Sequence, residues 1–528
     1  MTNSGRRCES WSLKAVRLLC ALAALMALVV QPARPALALD QSRLVLSPQA
    51  KAIVEANRPE PDEMPHEDLL ALFSSLLYDY TDFRDEPDLN RLRMDPAAIR
   101  KAGAELEEWS ISRAKAVEEI NLLFDVLKYG YAGYQFFGGD EVFEAAKSRI
   151  LKEMSQYAQS IPLWNYSYMI AASLEFIQDG HFAFGNRSIC QWHTFRVNPY
   201  LRFFMDDDGR FVSETGIRLD SINGADPSSF LKPSIDEDGD IVYILGMLVP
   251  DWQADFMCQL EYEDGRMEMA WLVPVSPMDY GGPVYELGEV EGLPLVSCRS
   301  FDSVHDQDRA LSKFVQDADR LRHEKAILLD LRSNHGGSAA YGMLWCQRLL
   351  EGSAGPATFT AELATDTAMA LLLNRIAERR EEGLDADEAR AVQAYWKNAQ
   401  DPSRPGWCRI SIARGGRVSN APFIAVLIDS NASSATEDFI RRLRSMDNVA
   451  IIGTNTRGAL LCVNPGIFAL PHSGLEVRIP TMLWLDSEMQ NRDGIGYLPD
   501  FWVHPDHALE YGVKFVKKHL VPEGSAVR

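Results

Sequence analysis

Apolar residues recur at every third or fourth position between about residues 47 and 178 of this chain. Within this part, Ile120, Leu123 and Leu127 fall on one face of a helix, and residues 161–178 continue the same period. Such a period is typical of amphipathic helices, which bury one face and leave the other in water. The pattern therefore predicts an N-terminal helical domain.

The pattern changes after Arg187 to short β-prone runs. Asn223-Gly224 and Asp264-Gly265 separate such runs, and these dipeptides are strong signals for the tight turns of β-hairpins. The runs predict a small β-rich module. Residues 216–231 within it resemble part of a PDZ domain.

From Leu293 onward, apolar strand-like runs alternate with helical stretches. Residues 325–331, 423–429 and 449–453 are the clearest of these runs. Continuously apolar strands with helices between them indicate a sheet that is covered on both faces. The pattern predicts an α/β core. The charged helical stretch 371–399 interrupts it and is predicted as an insertion, which either packs over the core or forms a partner surface.

The first residues follow the order of a secretory signal peptide. Arg6 and Arg7 precede an apolar stretch from Leu18 to Val30, and small residues follow as far as Ala38. An uncleaved anchor is the alternative, but the apolar stretch is shorter than the roughly 20 residues that cross a bilayer. We expect a periplasmic or extracellular mature protein without an integral membrane segment. The predicted units are a signal peptide (1–38), a helical domain (39–189), a PDZ-like β-rich module (190–285) and an α/β core (286–528).

The composition narrows the choice of partners. With 46% hydrophobic and 24% charged residues the chain is typical of globular proteins. Its formal net charge of −22 repels phosphate backbones and anionic lipids, so nucleic acid and membrane surfaces are poor candidates. The cysteines beyond residue 38 form no C-x-x-C pair, which argues against a zinc ribbon or thiol redox chemistry. They could form up to three disulfides or stay buried thiols, and we expect neither a metal nor a cofactor.

One serine stands where a predicted strand turns into a predicted helix. Residues 423–444 combine an apolar strand, a polar turn and an amphipathic helix that begins near Ser434 or Ala435. Free N–H groups and aligned dipoles at a helix N-terminus stabilise negative charge, which suits a nucleophile and its oxyanion. Residues 434–437 also match a capping box, which needs no catalysis. This motif alone leaves both interpretations open.

Two further motifs contain glycines beside a polar group. Gly336 and Gly337 follow a predicted buried strand and could present N–H groups to an oxyanion, although such a turn can also be structural. His181 follows Asp179-Gly180 at the predicted end of a helix, where a glycine stops the helix and fixes the next side chain. An imidazole there could serve as the general base for a serine, or could be a structural histidine.

Taken together, five motifs resemble the carboxyl-terminal processing and tricorn-core serine peptidases. They are the DGH segment at 179–181, LDLRSNHGG at 329–337, VLIDSNASSATE at 426–437, GTNTRG at 453–458 and DGIGYLPD at 493–500. Those proteins contain similar motifs in the same order. The resemblance implies a crotonase/ClpP-like α/β core and a serine peptidase that hydrolyses polypeptide substrates.

The resemblance also implies a nucleophile and oxyanion donors. Ser434 matches the nucleophile of the family, and Ser433 is the second choice. The N–H groups of Gly337 and Ala435 are the expected donors, with Gly336 beside them. An acyl-enzyme would form on the serine and be hydrolysed by water.

The base implied by the resemblance depends on the branch of the family. The tail-specific branch uses a lysine just after the G-x-x-T-x-G turn, but Ala459 stands there and no lysine occurs between Ser434 and Lys514. The tricorn-like branch uses the histidine of the DGH-like segment, here His181, and an acidic residue that is usually glutamate. The corresponding position is Asp493, which gives a predicted Ser-His-Asp triad.

Two other functions compete with this prediction. A catalytically inactive peptide-binding relative is favoured by Ala459 and by the shorter acid at Asp493, whereas the presence of His181, Ser434 and the glycine loop favours an enzyme. An acyl-coenzyme-A enzyme of the crotonase type would share a comparable sheet, but export would separate it from its cofactor.

Overall fold

The structure is a computed structural model. It describes residues 43–58, 64–88, 92–94, 110–185, 187–302, 307–352, 355, 357–378, 386–413 and 416–523. The predicted signal peptide, residues 1–38, lies outside the described residues. Among the described helices, none combines the length and apolar character that a membrane span requires.

The first part of the chain is mainly helical, as the apolar period predicts. Its elements are β1 (Leu44–Leu46), α1 (Pro48–Ala56), α2 (His66–Ser75), β2 (Ser110–Ser112), α3 (Arg113–Gly130), α4 (Gly139–Met154), β3 (Ser160–Pro162), α5 (Leu163–Ser173) and β4 (Ala183–Phe184). Ile120, Leu123 and Leu127 of α3 are fully buried on the predicted face. The Ser112 side chain accepts the Lys115 N–H and so caps the start of α3.

The second part is β-rich. Its elements are β5 (Arg187–Ser188), β6 (His193–Met205), β7 (Phe211–Ser213), β8 (Leu219–Ile222), a 3₁₀ turn (Pro227–Ser229), β9 (Leu231–Ile235), β10 (Ile241–Pro250), β11 (Phe256–Tyr262) and β12 (Met267–Pro274). From β6 onward these strands form one sheet of order β8-β11-β12-β6-β10-β9, with β7 paired to β6. Asn223 and Gly224 both have positive φ, as a tight hairpin turn requires.

The third part alternates strands and helices. Its elements are β13 (Tyr285–Val290), β14 (Leu293–Cys298), α6 (Gln307–Leu321), β15 (Ala326–Asp330), α7 (Ala339–Leu350), β16 (Thr358–Glu362), α8 (Asp366–Glu378), α9 (Ala386–Ala399), β17 (Ser411–Ala413), β18 (Phe423–Ile428), α10 (Ala435–Arg444), β19 (Val449–Gly453), β20 (Cys462–Ala469), β21 (Glu476–Asp486), β22 (Phe501–Trp502), α11 (Pro505–His519) and β23 (Leu520–Pro522).

The central sheet has the order β13-β14-β15-β18-β19-β22 and is parallel from β14 to β22. Every residue of β15, β18 and β19 is buried, because helices cover both faces. Apolar side chains of α6, α7 and α10 pack on one face, and those of α1 and α11 pack on the other. This arrangement confirms the predicted α/β fold class.

A second sheet joins the helical region to the core. Its order is β17-β16-β21-β4-β5, and β20 also pairs with β21. Phe184 of β4 pairs with Val477 of β21, and α3, α4 and α5 share one apolar cluster with this sheet. Because residues 179–181 end one residue before β4 begins, this pairing brings the DGH segment to the α/β core.

The described parts of the predicted insertion, residues 371–399, belong to α8 and α9. Residues 379–385 between these helices lie outside the described residues. Leu371 and Leu373 are fully buried, and Trp396 is 3% exposed. Leu371 joins the cluster beneath the second sheet, and Leu373 and Trp396 pack in a smaller cluster beside it.

The cysteines of the described residues are buried free thiols, at positions 190, 258, 298, 346, 408 and 462. They therefore satisfy the free-thiol alternative of the sequence analysis. Burial raises the pKa of Cys298 to about 12, which keeps this thiol protonated at neutral pH.

Candidate active site

Ser434 lies in a strained turn between β18 and α10. Its backbone has φ 57° and ψ −118°, a left-handed conformation that residues with a side chain rarely adopt. A sharp strand-to-helix turn of this kind lifts a serine hydroxyl out of the backbone toward a reacting group. Ser434 Oγ lies 3.0 Å from His181 Nε2, so the structure brings together two side chains that are 253 residues apart.

The carboxyl group of Glu437 fixes this turn by accepting four hydrogen bonds. Its Oε2 accepts the N–H groups of Ser434 at 2.9 Å and Ala459 at 2.8 Å. Its Oε1 accepts the Thr456 hydroxyl at 2.6 Å and the Gly458 N–H at 2.8 Å. Burial raises the pKa of Glu437 to about 7 against the opposing effect of these donors. The capping interaction of Glu437 and the contact of Ser434 with His181 therefore coexist, although the sequence presented them as alternatives.

His181 is positioned by its own loop. Its backbone N–H donates to Asp179 Oδ1 at 2.9 Å, and its Nε2 faces Ser434. Burial of the ring lowers the pKa of His181. The charge of Asp493 and a backbone interaction with Cys462 oppose this effect but are smaller. A lowered pKa keeps the imidazole neutral at pH 7, and a neutral imidazole is the form that can accept a proton.

Asp493 lies beside His181 but does not make the hydrogen bond that the predicted triad requires. Asp493 Oδ2 accepts the Gly180 N–H at 2.8 Å, and Oδ1 accepts the N–H groups of Leu460 and Leu461 at 2.7 and 3.0 Å. Within the described residues, His181 Nδ1 makes no hydrogen bond to Asp493. Both oxygens of this shorter acid are occupied by backbone donors, so Asp493 acts on the imidazole through its charge and through the Gly180 peptide.

Asp179 is a second buried carboxyl group, which the sequence places at the predicted end of a helix. It accepts the Tyr131 hydroxyl at 2.8 Å and the His181 N–H. Burial, followed by the charge of Asp493, raises the pKa of Asp179 to about 7. The signal in the sequence was the carboxylate two residues before the candidate base. Nothing in the local sequence pointed to Tyr131.

The glycine loop lies against the turn that carries the serine. A Cβ atom added to Gly336 would lie 3.0 Å from Ala435 N, and one added to Gly337 would lie 2.1 Å from the Phe301 carbonyl carbon. Gly337 also has φ 135°. The N–H groups of Gly337 and Ala435 have no hydrogen-bond partner among the residues that the structure describes, which leaves them available to an oxyanion.

Gly336 was predicted beside the oxyanion donors, but the structure removes it from that set. Its N–H donates to Asn334 Oδ1 at 3.0 Å and is therefore not available to an oxyanion. The Ser433 hydroxyl, the second choice as nucleophile, donates to the His335 carbonyl oxygen at 3.0 Å, and the Ser433 N–H donates to the Asn334 carbonyl oxygen at 3.1 Å. Ser433 thus ties the glycine loop to the turn, and it is the Ser434 hydroxyl that reaches the imidazole.

Ala459 stands where the resemblance to the tail-specific branch would place a lysine, and it packs against the DGH segment. Ala459 is buried, and a Cβ atom added to Gly180 would lie 2.7 Å from the Ala459 side chain. The turn after β19 therefore packs directly on the DGH segment. Across the described parts of the chain, no group of three or more His, Cys, Asp or Glu side chains could hold a metal ion.

The comparisons with known proteins give one family match. The model described as peptidase family S41 matches residues 294–503. Similar solved structures are mature CPAF complexed with lactacystin (15% identity, 77% of this chain, 98% of that chain, TM-score 0.40), the photosystem II D1 C-terminal processing protease (14%, 74%, 93%, 0.34) and a putative peptidase from Parabacteroides merdae ATCC 43184 (13%, 79%, 100%, 0.38). A search of curated protein sequences gives no match.

The matched region contains Ser434, Gly337 and Asp493, whereas His181 precedes it. The match bears out the predicted resemblance to serine peptidases over residues 294–503, which it assigns to peptidase family S41. The assignment rests on the family match, because the similar solved structures share only 13–15% sequence identity with this chain. Residues 294–503 are a peptidase family S41 domain, and the protein is a serine peptidase.

Proposed function

We propose that the protein is an exported serine endopeptidase with Ser434 as its nucleophile and His181 as its general base. The observation that carries this proposal is the 3.0 Å separation of Ser434 Oγ and His181 Nε2, formed at a strained helix N-terminus. A hydroxyl within hydrogen-bond distance of a neutral imidazole is the arrangement that general-base activation of a serine requires.

In the proposed reaction, Ser434 Oγ attacks the peptide carbonyl carbon while His181 Nε2 takes the hydroxyl proton. The N–H groups of Gly337 and Ala435 donate to the oxyanion, where the loss of one donor typically lowers the rate by ~10²-fold or more. The imidazolium then protonates the leaving amine, and the acyl-enzyme forms. Water, deprotonated by His181, releases the second product and restores the serine.

Asp493 completes the site as a positioning residue. Its negative charge raises the pKa of His181, so it stabilises the imidazolium that forms when the proton is transferred. Its hydrogen bond to the Gly180 N–H fixes the residue before the imidazole. The proposed triad is therefore Ser434, His181 and Asp493, with the third member acting without a direct bond to the ring.

The proposed location is the periplasm or the extracellular space. This part of the proposal is supported by the order of basic, apolar and small residues before Ala38. The test is N-terminal sequencing of the protein isolated from its natural source. A mature chain that begins near residue 39 supports export, and a chain that begins at Met1 contradicts it.

The catalytic proposal is tested by fluorophosphonate labelling and by hydrolysis of an unfolded protein. Ser434→Ala should abolish labelling and lower kcat by at least about 10⁴-fold, because the remaining groups supply no nucleophile. Ser433→Ala is the matched control for labelling, which should persist because the Ser434 contact with His181 remains. Its kcat should fall far less than that of Ser434→Ala, because it removes only the bond between the Ser433 hydroxyl and the glycine loop. Wild-type protein that stays unlabelled and cleaves nothing would support the inactive peptide-binding alternative.

A further inference from the structure

Arg457 is the exposed residue of an otherwise buried turn beside the nucleophile. All the remaining residues of the run 451–461 are buried. The Arg457 N–H donates to the carbonyl oxygen of Ala432 at 2.9 Å, and Ala432 lies two residues before Ser434. The side chain of Arg457 therefore projects into solvent from the flank of the turn that carries the reacting hydroxyl.

The backbone on both sides of Arg457 is fixed. The preceding residue, Thr456, donates its hydroxyl to Glu437 Oε1, and the following residue, Gly458, donates its N–H to the same atom. Glu437 also accepts the Ser434 N–H. Arg457 and the nucleophile are thus held by one carboxyl group, which fixes their relative positions before any substrate arrives.

An indole ring holds the guanidinium. The Cζ atom of Arg457 lies 4.1 Å from the ring centroid of Trp192. The Trp192 carbonyl oxygen accepts the Asp251 N–H at 2.9 Å, and the next residue, His193, donates its N–H to the Gly494 carbonyl oxygen at 2.9 Å. Stacking restrains the planar guanidinium but leaves the N–H groups at its edge free to donate.

Among the described residues, the guanidinium of Arg457 has no carboxylate partner. Within the part of the chain that the structure describes, its guanidinium makes neither an ion pair nor a hydrogen bond, whereas Arg332 pairs with Asp330 and Arg441 with Asp438. The sequence contains 75 acidic and 53 basic residues, so acidic partners are abundant in this chain. A planar guanidinium with free edge donors matches the two oxygens of a carboxylate.

We propose that Arg457, held against Trp192, is a specificity-determining residue that binds a carboxylate of the polypeptide substrate. The inference rests on the proposed function, since it requires cleavage at Ser434. An extended peptide advances about 3.4 Å per residue, so one arginine side chain spans about two residues on either side of the cleaved bond. The carboxylate belongs either to an Asp or Glu side chain or to the C-terminus of the substrate.

The test starts from one neutral peptide that contains a single cleavable bond, and compares versions of it that carry a carboxylate with versions that carry the matching amide. One series exchanges Glu for Gln at each of the two positions on either side of that bond, and the other exchanges a free C-terminus for an amide one or two residues beyond it. Wild-type enzyme should prefer the carboxylate by about tenfold in kcat/KM in one series, which identifies its source. Arg457→Gln should reduce this ratio to about one, and Arg457→Lys should retain part of it, because lysine keeps the charge without the planar fork.

Arg266→Gln is the matched control. The Arg266 guanidinium lies over the Tyr262 ring at 4.0 Å in the β-rich part, so this change removes the same charge and the same kind of contact away from Ser434. The ratio should stay at its wild-type value. Equal cleavage of all the peptides by wild-type enzyme, or an unchanged ratio in Arg457→Gln, overturns this inference alone. Wild-type enzyme that cleaves none of them overturns the proposed function as well.

Discussion

Replacing Gly337 by alanine tests the oxyanion site more directly than any other single change. The added Cβ atom would lie 2.1 Å from the Phe301 carbonyl carbon and 2.3 Å from the Asp302 nitrogen. Non-bonded carbon atoms are normally about 3.5–4.0 Å apart, so the loop must move by about 1.5 Å. The obstacle is backbone, which cannot rotate away as a flexible side chain would.

The cost to stability has two parts. The φ of 135° at Gly337 strains an alanine by about 1–3 kcal/mol, and the steric conflict adds about 1–3 kcal/mol. The cost to activity follows from geometry, because an oxyanion donor must lie about 2.7–3.1 Å from the oxygen. A shift of about 1.5 Å removes this hydrogen bond, so kcat should fall by about 10²–10³-fold.

The assay measures kcat on the neutral peptide and the melting temperature of the same preparation. Gly265→Ala is the control for backbone strain, since Gly265 has φ 84° and nothing lies within 4 Å of its added Cβ atom. This control should lower the melting temperature and leave kcat unchanged. If folded Gly337→Ala keeps kcat within about threefold of wild type, the Gly337 N–H is not an oxyanion donor.

Two further predictions concern buried carboxyl groups. Asp493→Asn removes a charge that raises the pKa of His181, so the acidic limb of the kcat/KM profile should move to lower pH. The value of kcat should fall by about tenfold or more, because stabilisation of the imidazolium is lost. An acidic limb that does not move would exclude electrostatic coupling between these residues. Burial raises the pKa of Glu362 to about 7 from 4.5. The folded protein therefore holds this proton while the unfolded chain releases it, and stability is lost as pH rises from about 4.5 to 7. Glu362→Gln keeps an oxygen that accepts a hydrogen bond from the Asn464 side-chain amide. This change should raise the free energy of unfolding by up to about 3 kcal/mol at pH 8 and have little effect at pH 4.5, as measured by denaturant titration. Equal effects at both pH values would contradict the raised pKa of Glu362.

The central sheet was predictable from the sequence because its strands are continuously apolar. The runs at 325–331, 423–429 and 449–453 correspond to β15, β18 and β19. The second sheet was not predictable, since β4 and β5 have two residues each and carry no recognisable period. Their place in the fold depends on pairing with β21, which is nearly 300 residues away in the chain.

The candidate site was predictable as a set of motifs but not as a set of hydrogen bonds. The order of the motifs led to His181 and Ser434, which the structure places in contact. Motifs do not reveal which donors are already in use, so the bond from the Gly336 N–H to Asn334 was missed. The same reason explains Asp493, whose oxygens are occupied by backbone groups that no spacing rule identifies.

The imidazole enters the site from outside the region that is recognisable as a peptidase domain. It is delivered by a short segment whose location depends on the pairing of β4 with β21. A descendant of this protein could therefore keep an intact S41 domain, serine included, and still lose its chemistry through changes in the N-terminal helices alone. Conversely, any binding event that loosened or tightened this attachment would switch turnover off or on without touching the nucleophile.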